Sequence, residues 1–263
     1  MNILRLKWYG TATIHLEQNG TSLLFDPFLP LSKNVFQPPL EEFIETDGIF
    51  VTHDHYDHIF AIPDIVKRSI KQFNIYCTKR TQDILISKGV DNSRICCISP
   101  GDTVDLNPFE IRVLKSQHIK FNTGLIIKTL INSRIIQYWR NIRRILDAVE
   151  NSNAKMETVA FDITVQKKRI LLLGSLNLDD STEYEPGADL LILPFQGRSD
   201  ISSYSISIVN RLKPMKILLD HFDDTFPPLS STVDIKPFIL LMRKEFPDIP
   251  VLNTHASAEW ISF

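Results

Sequence analysis

The sequence predicts an α/β fold in which helices cover mixed β-sheets, and two observations carry this prediction. At the amino end, apolar and polar residues alternate with the period of β-strands, and an Asn19-Gly20 turn between two such runs predicts a hairpin. Further along, short apolar runs alternate with segments of helical periodicity, which is typical of strands joined by helices. Hairpins and strand-helix-strand units in one chain indicate sheets that mix antiparallel and parallel strands.

The two halves of the chain follow this plan in a similar order. In the first half, the pattern predicts strands at 4–8, 11–17, 21–25, 48–51, 74–77, 94–98, 103–106, 110–114 and 124–130, and helices at 59–71 and 82–88. In the second half, it predicts strands at 158–165, 168–173, 189–193 and 215–219, and helices at 204–212 and 233–244. Residues 26–42 carry four prolines and little periodicity, so we expect a long irregular loop there.

A basic amphipathic helix is expected at 132–150, between the two halves. Its apolar residues cluster on one side with Trp139 on or near that face, whereas its arginines lie mostly elsewhere. A helix docked on the sheet with a solvated arginine face is the favoured interpretation. A membrane-surface or lid role is the alternative.

Length and composition indicate one domain over residues 1–263. The chain is 43% hydrophobic and 23% charged, and no low-complexity linker divides it. Its formal net charge of −2 argues against an electrostatic grip on nucleic acid. The first residues alternate as in a strand, so we expect no leader there. No apolar run reaches the roughly 18 residues that cross a bilayer, and the three cysteines suggest no disulfide framework. We therefore expect a cytoplasmic protein with reduced cysteines in its core.

The segment 53–58 reads H-x-H-x-D-H directly after an apolar run that is typical of a buried strand. Three of the seven histidines in the chain fall within these six positions, so chance is a poor explanation. Neutral imidazole and carboxylate groups are the ligands that zinc prefers. His53 and His55 can reach one ion while Asp57 and His58 reach another, which predicts a metal centre at the end of this strand.

Other polar residues follow apolar runs in the same way, as expected of a ligand site beyond the carboxyl ends of sheet strands. These residues are His118, Ser175 and His221. His118 would complete a zinc site with the first two histidines of the motif, leaving a fourth position open. His221 would complete a second site with Asp57 and His58.

With these residues in place, the sequence resembles the metallo-β-lactamase superfamily, and within it the branch of predicted metal-dependent hydrolases related to ascorbate-phosphate lactonases and N-acylphosphatidylethanolamine phospholipase D. The resemblance covers nearly the whole chain. It is carried by Trp8-Tyr9-Gly10-Thr11-Ala12, Leu23-Leu24-Phe25-Asp26-Pro27, the H-x-H-x-D-H run, His118, the Gly174 turn and Asp220-His221-Phe222-Asp223-Asp224. It implies a four-layer αβ/βα sandwich with two mixed β-sheets, outer helices and a metal site at one edge between the halves.

The sequence departs from this family at one position. In many members, the residue that follows the glycine of the second half is an aspartate, and this aspartate bridges two metal ions. This chain has Ser175 after Gly174 instead. Without the bridge, a second ion is expected to bind more weakly, because the ligand charge is lower. Asp179 or Asp180 could swing in instead. Asp26 matches the family's aspartate beneath the metal site, where accepting a ring N–H would orient a ligand histidine; a simple turn is the alternative role.

These features predict a metal-dependent hydrolase in which metal-bound hydroxide attacks an ester, lactone or phosphodiester. Asp57 is the expected catalytic residue, orienting the nucleophile and moving its proton. One or two zinc ions are expected, with manganese, iron or nickel as alternatives. The substrate is expected to be a small molecule, anionic or phosphorylated in one interpretation, and Arg198 and His255 are the candidates for binding it.

Two other classes of function compete with this one. A non-catalytic metal-binding or ligand-sensing protein would fit a site degraded by loss of the bridging aspartate. Nucleic-acid processing is disfavoured by the near-neutral charge. The sequence leaves the oligomeric state open.

Overall fold

Two β-sheets packed face to face organise the chain. The computed structural model describes residues 3–119, 134–141, 157–252, 255–257 and 259–262. The strands of the first sheet are β1 (Arg5–Trp8), β2 (Ile14–Gln18), β3 (Thr21–Phe25), β4 (Gly48–Phe50), β5 (Asn74–Cys77), β6 (Ile95–Cys97) and β15 (Ile261–Ser262). The strands of the second sheet are β7 (Thr103–Leu106), β8 (Phe109–Gln117), β9 (Thr158–Val165), β10 (Lys168–Leu173), β11 (Asn177–Leu178), β12 (Leu190–Pro194), β13 (Ile217–Asp220) and β14 (Val251–Leu252).

Both sheets are mixed, which confirms the prediction from the sequence. The first has the order β15-β1-β2-β3-β4-β5-β6, in which β1, β2 and β3 pair antiparallel and β3 to β6 pair parallel. The second has the order β11-β8-β9-β10-β12-β13-β14, with β7 paired to β8. Its β8, β9 and β10 are antiparallel, and β10, β12, β13 and β14 are parallel.

Helices cover the outer face of each sheet. The described helices are α1 (Leu40–Ile44), α2 (Tyr56–Ile59), α3 (Ile62–Arg68), α4 (Lys79–Ser87), α5 (Arg134–Gln137), α6 (Ile201–Leu212) and α7 (Lys236–Glu245). Apolar residues of α1, α3 and α4 pack against the first sheet, and those of α6 and α7 pack against the second. The resulting order of layers is helix, sheet, sheet, helix, as the resemblance to the metallo-β-lactamase superfamily implied.

The main core lies between the sheets and is rich in aromatic rings. Phe25 and Phe50 stack with ring centroids 5.3 Å apart, and Phe50 meets Phe161 of the opposite sheet edge-on at 5.4 Å. All three side chains are fully buried. Such pairs stabilise a fold by about 0.5–1.5 kcal/mol beyond the burial of their surface. They fix the first sheet against the second directly below the end of β4.

Three boundaries differ from the sequence prediction for local reasons. The helix predicted at 59–71 corresponds to α3, which spans only Ile62–Arg68 and has Pro63 in its first turn, whereas α2 ends at Ile59. The strand predicted at 11–17 begins at Ile14, because Gly10 and Thr11 adopt positive φ angles of 108° and 48° in a turn. The proline-rich loop ends in the short helix α1.

The strand predicted at 124–130 and most of the helix predicted at 132–150 lie outside the described residues. Within 134–141, Trp139 is half-exposed rather than buried on an apolar face. Cys77 is buried but Cys97 is exposed, so the prediction of core cysteines is wrong for Cys97. Among the residues that the structure describes, the helices are too short or too polar to cross a bilayer.

His15 is a buried histidine that makes stability depend on pH. Its Nε2 lies 2.7 Å from Ser22 Oγ and its Nδ1 lies 3.2 Å from the hydroxyl of Tyr9, which itself donates to Glu42. Burial, reinforced by the charge of Lys7, lowers the pKa of His15 from 6.5 to about 4. His15 is therefore neutral in the folded protein at pH values where the unfolded chain is already protonated.

Stability is expected to fall as the pH is lowered from about 6.5 to about 4, because only the unfolded state binds the proton in this window. The loss attributable to His15 reaches up to about 3 kcal/mol, at 1.36 kcal/mol per pKa unit. Urea unfolding of the metal-free protein at several pH values measures it, with His15→Gln as the matched variant. An identical pH dependence in the two proteins would contradict this account of His15.

Candidate metal centre

The H-x-H-x-D-H motif begins in the loop between β4 and α2 and ends within α2, and this loop is tied to both sheets. Val51 N donates to Tyr76 O at 2.9 Å within the first sheet, and Val159 N of the second sheet donates to Thr52 O at 2.9 Å. Gly174, at the end of β10, packs directly on Thr52: a Cβ at this glycine would lie 2.1 Å from Thr52 Cβ. The motif therefore sits at the edge where the two halves of the chain meet.

Six predicted ligand residues fall into two adjacent groups. The ligand atoms of His53, His55 and His118 lie within 4.8 Å of one another, and so do those of a second group, which comprises Asp57, His58 and His221. The rings of His53 and His58, one from each group, have centroids only 3.9 Å apart. Residues distant in sequence, delivered by β8 and β13, thus join the motif in one place.

Asp26 orients one histidine of each group. Thr52 donates to Asp26 through its backbone N at 2.8 Å and through its Oγ1 at 2.7 Å. Since the Thr52 hydroxyl proton is used in this way, its Oγ1 accepts from His53 Nδ1 at 3.0 Å. His58 Nδ1 lies 2.9 Å from Asp26 Oδ2. Both rings carry their proton on Nδ1, so each leaves the lone pair of Nε2 for the centre.

His118 and His221 are oriented by the same principle with different acceptors. His118 Nδ1 donates to Ile119 O at 2.8 Å, and His221 Nδ1 donates to Gln196 Oε1 at 2.8 Å. A hydrogen bond at one ring nitrogen fixes which nitrogen is left for an ion. Four of the five histidines therefore present Nε2 toward the centre.

Two site residues hold strained backbone conformations. Asp26 and His221 have φ angles of 45° and 60°, in the left-handed region that costs a residue with a side chain about 1 kcal/mol or more. Asp26 N donates to Phe50 O at 3.0 Å, and His221 N donates to Thr11 O at 2.8 Å. These bonds hold both residues in the geometry that points their side chains inward.

Burial and mutual charge set the ionisation of the centre. Burial lowers the pKa of His118 to about 3 and that of His53 well below its ordinary value, so both rings are neutral at neutral pH. Burial alone would raise the pKa of Asp57 and lower that of His221. Instead, His58 and the contact with His221 at 2.9 Å lower the pKa of Asp57 below its ordinary value. The same contact with Asp57 raises the pKa of His221 to about 9. Asp57 is therefore an anion with an imidazolium partner.

The residues present fit a divalent metal. His53 is 1% exposed, and its buried Nε2 has no hydrogen-bond partner among the described residues, a cost of about 1–3 kcal/mol that an ion at this place would remove. Imidazole nitrogens with one carboxylate form the donor set preferred by zinc and related transition metals.

The residues considered as substitutes for the bridging aspartate have other partners. Ser175 Oγ accepts from Ile119 N at 2.8 Å. Asp179 contacts Gln117 at 2.9 Å and Lys115 at 3.1 Å, and it also binds Ser181. These contacts engage the Asp179 carboxylate in the structure, and Asp179 belongs to neither ligand group. Asp180 is almost fully exposed and pairs with Arg211, away from both groups.

The two residues suggested for substrate binding belong to neither ligand group. Arg198 makes a bidentate pair with Asp200, both contacts being 2.7 Å, and its guanidinium lies 4.4 Å from the centre of the Tyr204 ring. His255 is exposed and belongs to neither ligand group.

Sequence reasoning missed three participants. Gln196 lies in the same loop as Arg198 and is the residue that orients His221. Thr52 precedes the motif, and its hydroxyl connects Asp26 to His53 by hydrogen bonds to both side chains. Asp220, at the end of β13, is 1% exposed, and burial raises its pKa well above the ordinary range. Thr52 and Asp220 carried a sequence signal, since Thr52 directly precedes the motif and Asp220 directly precedes His221.

Asp26→Asn is expected to weaken zinc binding by about 10- to 100-fold, the usual cost of removing a carboxylate that orients ligand histidines. An amide has one acceptor oxygen where Asp26 uses both, so its NH₂ group would face a donor from Thr52 or His58. Competition with a chromophoric chelator measures the affinity. Zinc affinity equal to that of the unaltered protein would show that Asp26 is only a turn residue.

Comparison with known proteins identifies the family. Residues 21–208 match the model of the beta-lactamase superfamily domain. A UPF0173 metal-dependent hydrolase of Ligilactobacillus salivarius (strain UCC118) is 22% identical over 239 residues, which are 88% of this chain and 90% of the relative. Another, of Chelativorans sp. (strain BNC1), is 28% identical over 118 residues, which are 44% of this chain and about half (48%) of the relative.

A solved structure shows the same fold. The metallo-beta-lactamase fold protein YhfI from Bacillus subtilis superposes with a TM-score of 0.67 at 14% identity, over 100% of each chain. The family match spans well over half of the sequence, and the strand order and layers described above agree with it. On these grounds the chain belongs to the beta-lactamase superfamily.

Proposed function

We propose that this chain is a metal-dependent hydrolase that cleaves a small ester, lactone or phosphodiester. The observation that carries the proposal is the pair of adjacent ligand groups, in which four imidazoles have their Nδ1 atoms engaged and one carboxylate is buried among them. The relatives named metal-dependent hydrolases support the same reaction class.

The metal ligands in this proposal are His53, His55 and His118 in one group and Asp57, His58 and His221 in the other. A divalent ion held there would lower the pKa of bound water to about 7 and polarise the carbonyl or phosphoryl oxygen of the substrate. The nitrogen-rich donor set suits zinc, iron and nickel better than manganese, and zinc is the proposed ion.

Asp57 is the catalytic residue. Its Oδ2 lies 2.9 Å from His221 Nε2 and 3.8 Å from His58 Nε2, so the carboxylate faces the other ligand atoms of its group. From there it accepts a hydrogen bond from the attacking water and receives its proton. The water oxygen adds to the carbonyl carbon or phosphorus, the bond to the leaving oxygen breaks, and that oxygen departs with a proton.

The surroundings of the centre favour a neutral substrate with an apolar part. The ring of Phe226 lies 6.3 Å from that of His221 and packs on Phe28 at 5.7 Å, giving the second group an aromatic wall. Arg80 of α4 is paired with Asp54, and Arg134 of α5 is paired with Asp224. An uncharged ester or lactone suits these surroundings better than a phosphodiester, which is a monoanion.

A substrate panel tests the proposal. The protein is stripped with a chelator, reloaded with zinc, manganese, iron or nickel, and assayed with an activated ester, a lactone and a phosphodiester. We expect hydrolysis of the ester or lactone by the zinc-loaded protein, lost on chelation and restored by zinc. Tight zinc binding without turnover of any of the three substrates would overturn the proposal and favour a non-catalytic metal-binding or sensing protein, the alternative suggested by Ser175 in place of a bridging aspartate.

The partner of this site is proposed to be a small molecule. The near-neutral net charge gives no support to a nucleic-acid substrate. A cytoplasmic location is proposed from the three free cysteines, of which Cys97 is exposed.

A further inference from the structure

Two side chains form hydrogen bonds with the peptide group that joins His118 to Ile119. Asn177 Nδ2 donates to His118 O at 3.0 Å, and Ile119 N donates to Ser175 Oγ at 2.8 Å. Asn177 is itself fixed, because β11 pairs with β8 next to His118. Both polar groups of the peptide that follows His118 are therefore bound by side chains from one short segment.

Tyr204 of α6 extends this network. Its hydroxyl donates to Asn177 Oδ1, which leaves the Nδ2 of the same amide turned toward His118 O. Tyr204 thus acts on His118 through Asn177, from a helix on the outer face of the second sheet. We call Ser175, Asn177 and Tyr204 the His118 clamp.

The clamp also explains what Ser175 does at the position of the expected bridge. Ser175 is 3% exposed, and its oxygen accepts the hydrogen bond from Ile119 N. Ile119 O in turn accepts the Nδ1 proton of His118. The side chain that replaces the carboxylate supports the ligand histidine instead of joining the two groups.

The two ligand groups differ in what an ion must displace. In the first group, His53 Nε2 is buried without a hydrogen-bond partner among the described residues. In the second group, Asp57 Oδ2 and His221 Nε2 are bonded to each other at 2.9 Å. An ion that binds the first group gives the unpaired His53 Nε2 a partner. An ion that binds the second group must first break the contact between Asp57 and His221.

We propose that the His118 clamp positions His118 so that the group of His53, His55 and His118 is the primary ion site, filled before the group of Asp57, His58 and His221. Ser175, Asn177 and Tyr204 are positioning residues in this proposal. It rests on the metal centre of the proposed function but not on hydrolysis, so a protein that binds zinc without turning over a substrate would still test it.

The clamp is tested by zinc affinity. Ser175→Ala, Asn177→Asp and Tyr204→Phe each remove one link, and Ser205→Ala is the control, because its hydroxyl is buried in α6 with no partner among the described residues. Titration against a chromophoric chelator is expected to show first-ion affinity about 10- to 100-fold weaker in the three clamp variants and unchanged in the control. Co²⁺ absorption spectra should shift in the clamp variants only, which a general loss of stability would not produce.

The order of filling is tested by ion counting with elemental analysis at limiting zinc. His221→Ala is expected to keep one tightly bound ion, and His118→Ala is expected to lose it. First-ion affinity equal to that of the unaltered protein in all three clamp variants, or the reverse result for the two histidines, would overturn the proposal. Tyr204→Phe removes a single oxygen atom, so it decides the question if a more disruptive variant fails to fold.

The outcomes separate this inference from the proposed function. Binding of zinc that depends on the clamp, without hydrolysis, overturns only the proposed function. Hydrolysis with clamp-independent zinc affinity overturns only this inference. Failure of the unaltered protein to bind any ion overturns both.

Discussion

Replacing His53 and His55 together by alanine is expected to abolish tight zinc binding and to reduce hydrolysis by at least about 100-fold, since loss of even a residue that only orients a ligand costs 10- to 100-fold. Both residues contribute ligand atoms to the group completed by His118. The double variant leaves His118 as the single imidazole of that group, which is too few ligands for a stable zinc site.

The matched control for the double variant is His15→Gln. His15 lies outside both ligand groups and is bound to Ser22 and Tyr9. We expect this variant to alter the pH dependence of stability while retaining zinc and hydrolysis. Turnover rates are compared at saturating metal, with zinc content measured on the same samples. Equal residual hydrolysis in the double variant and the unaltered protein would show that the motif does not support the reaction.

Gly174→Ala is expected to have the largest effect on stability of any single-atom addition near the site. The added Cβ would lie 2.1 Å from Thr52 Cβ, 2.4 Å from Thr52 Oγ1 and 2.5 Å from Thr52 Cγ2. Thr52 cannot yield easily, because its N and Oγ1 donate to Asp26 and its carbonyl accepts from Val159 N. Overpacking at such a site costs about 1–3 kcal/mol or more.

The same clash should weaken metal binding, because any movement of Thr52 disturbs the hydrogen bonds by which its hydroxyl connects Asp26 to His53. Urea unfolding and zinc titration measure the two effects. Gly20→Ala is the control: its φ of 82° strains a side chain, but no atom lies within 4 Å of the added Cβ. An undiminished free energy of unfolding together with undiminished zinc affinity in Gly174→Ala would refute the close contact with Thr52.

The fold class could be predicted from the sequence because its signals are local. Alternation of apolar residues and turn residues such as Asn19-Gly20 depend on neighbours in the chain, and the strands they predicted in the described regions are present. Element boundaries were less accurate where tertiary contacts decide them. The turn at Gly10 and Thr11, for example, is held by Asp223, more than two hundred positions away.

In the candidate site, the ligand residues could be predicted from the sequence, but the residues that orient them could not. The two ligand groups contain only residues that the sequence singled out, because metal ligands must be histidine or carboxylate and these follow apolar strands. The orienting residues were harder to predict. Gln196 and Asn177 act through single hydrogen bonds to groups far away in sequence, and any polar side chain of similar length would look alike in the sequence.

Asp179 shows which contacts cannot be inferred from spacing in the sequence. Its place a few residues after Ser175 made it a candidate for the missing bridge. In the structure, Lys115 and Gln117 of β8 and the neighbouring Ser181 neutralise and bind its carboxylate. A partner on an adjacent strand decided its role, and strand pairing of this kind is not visible in the local sequence.

Crystals of the protein grown with limiting zinc, examined by anomalous diffraction at the zinc edge, test the central claim most directly. We expect a zinc peak coordinated by His53, His55 and His118, with a second peak between Asp57, His58 and His221 only at higher zinc concentration. A zinc-loaded protein whose anomalous peaks avoid both groups would contradict the metal centre, and with it the proposed hydrolase.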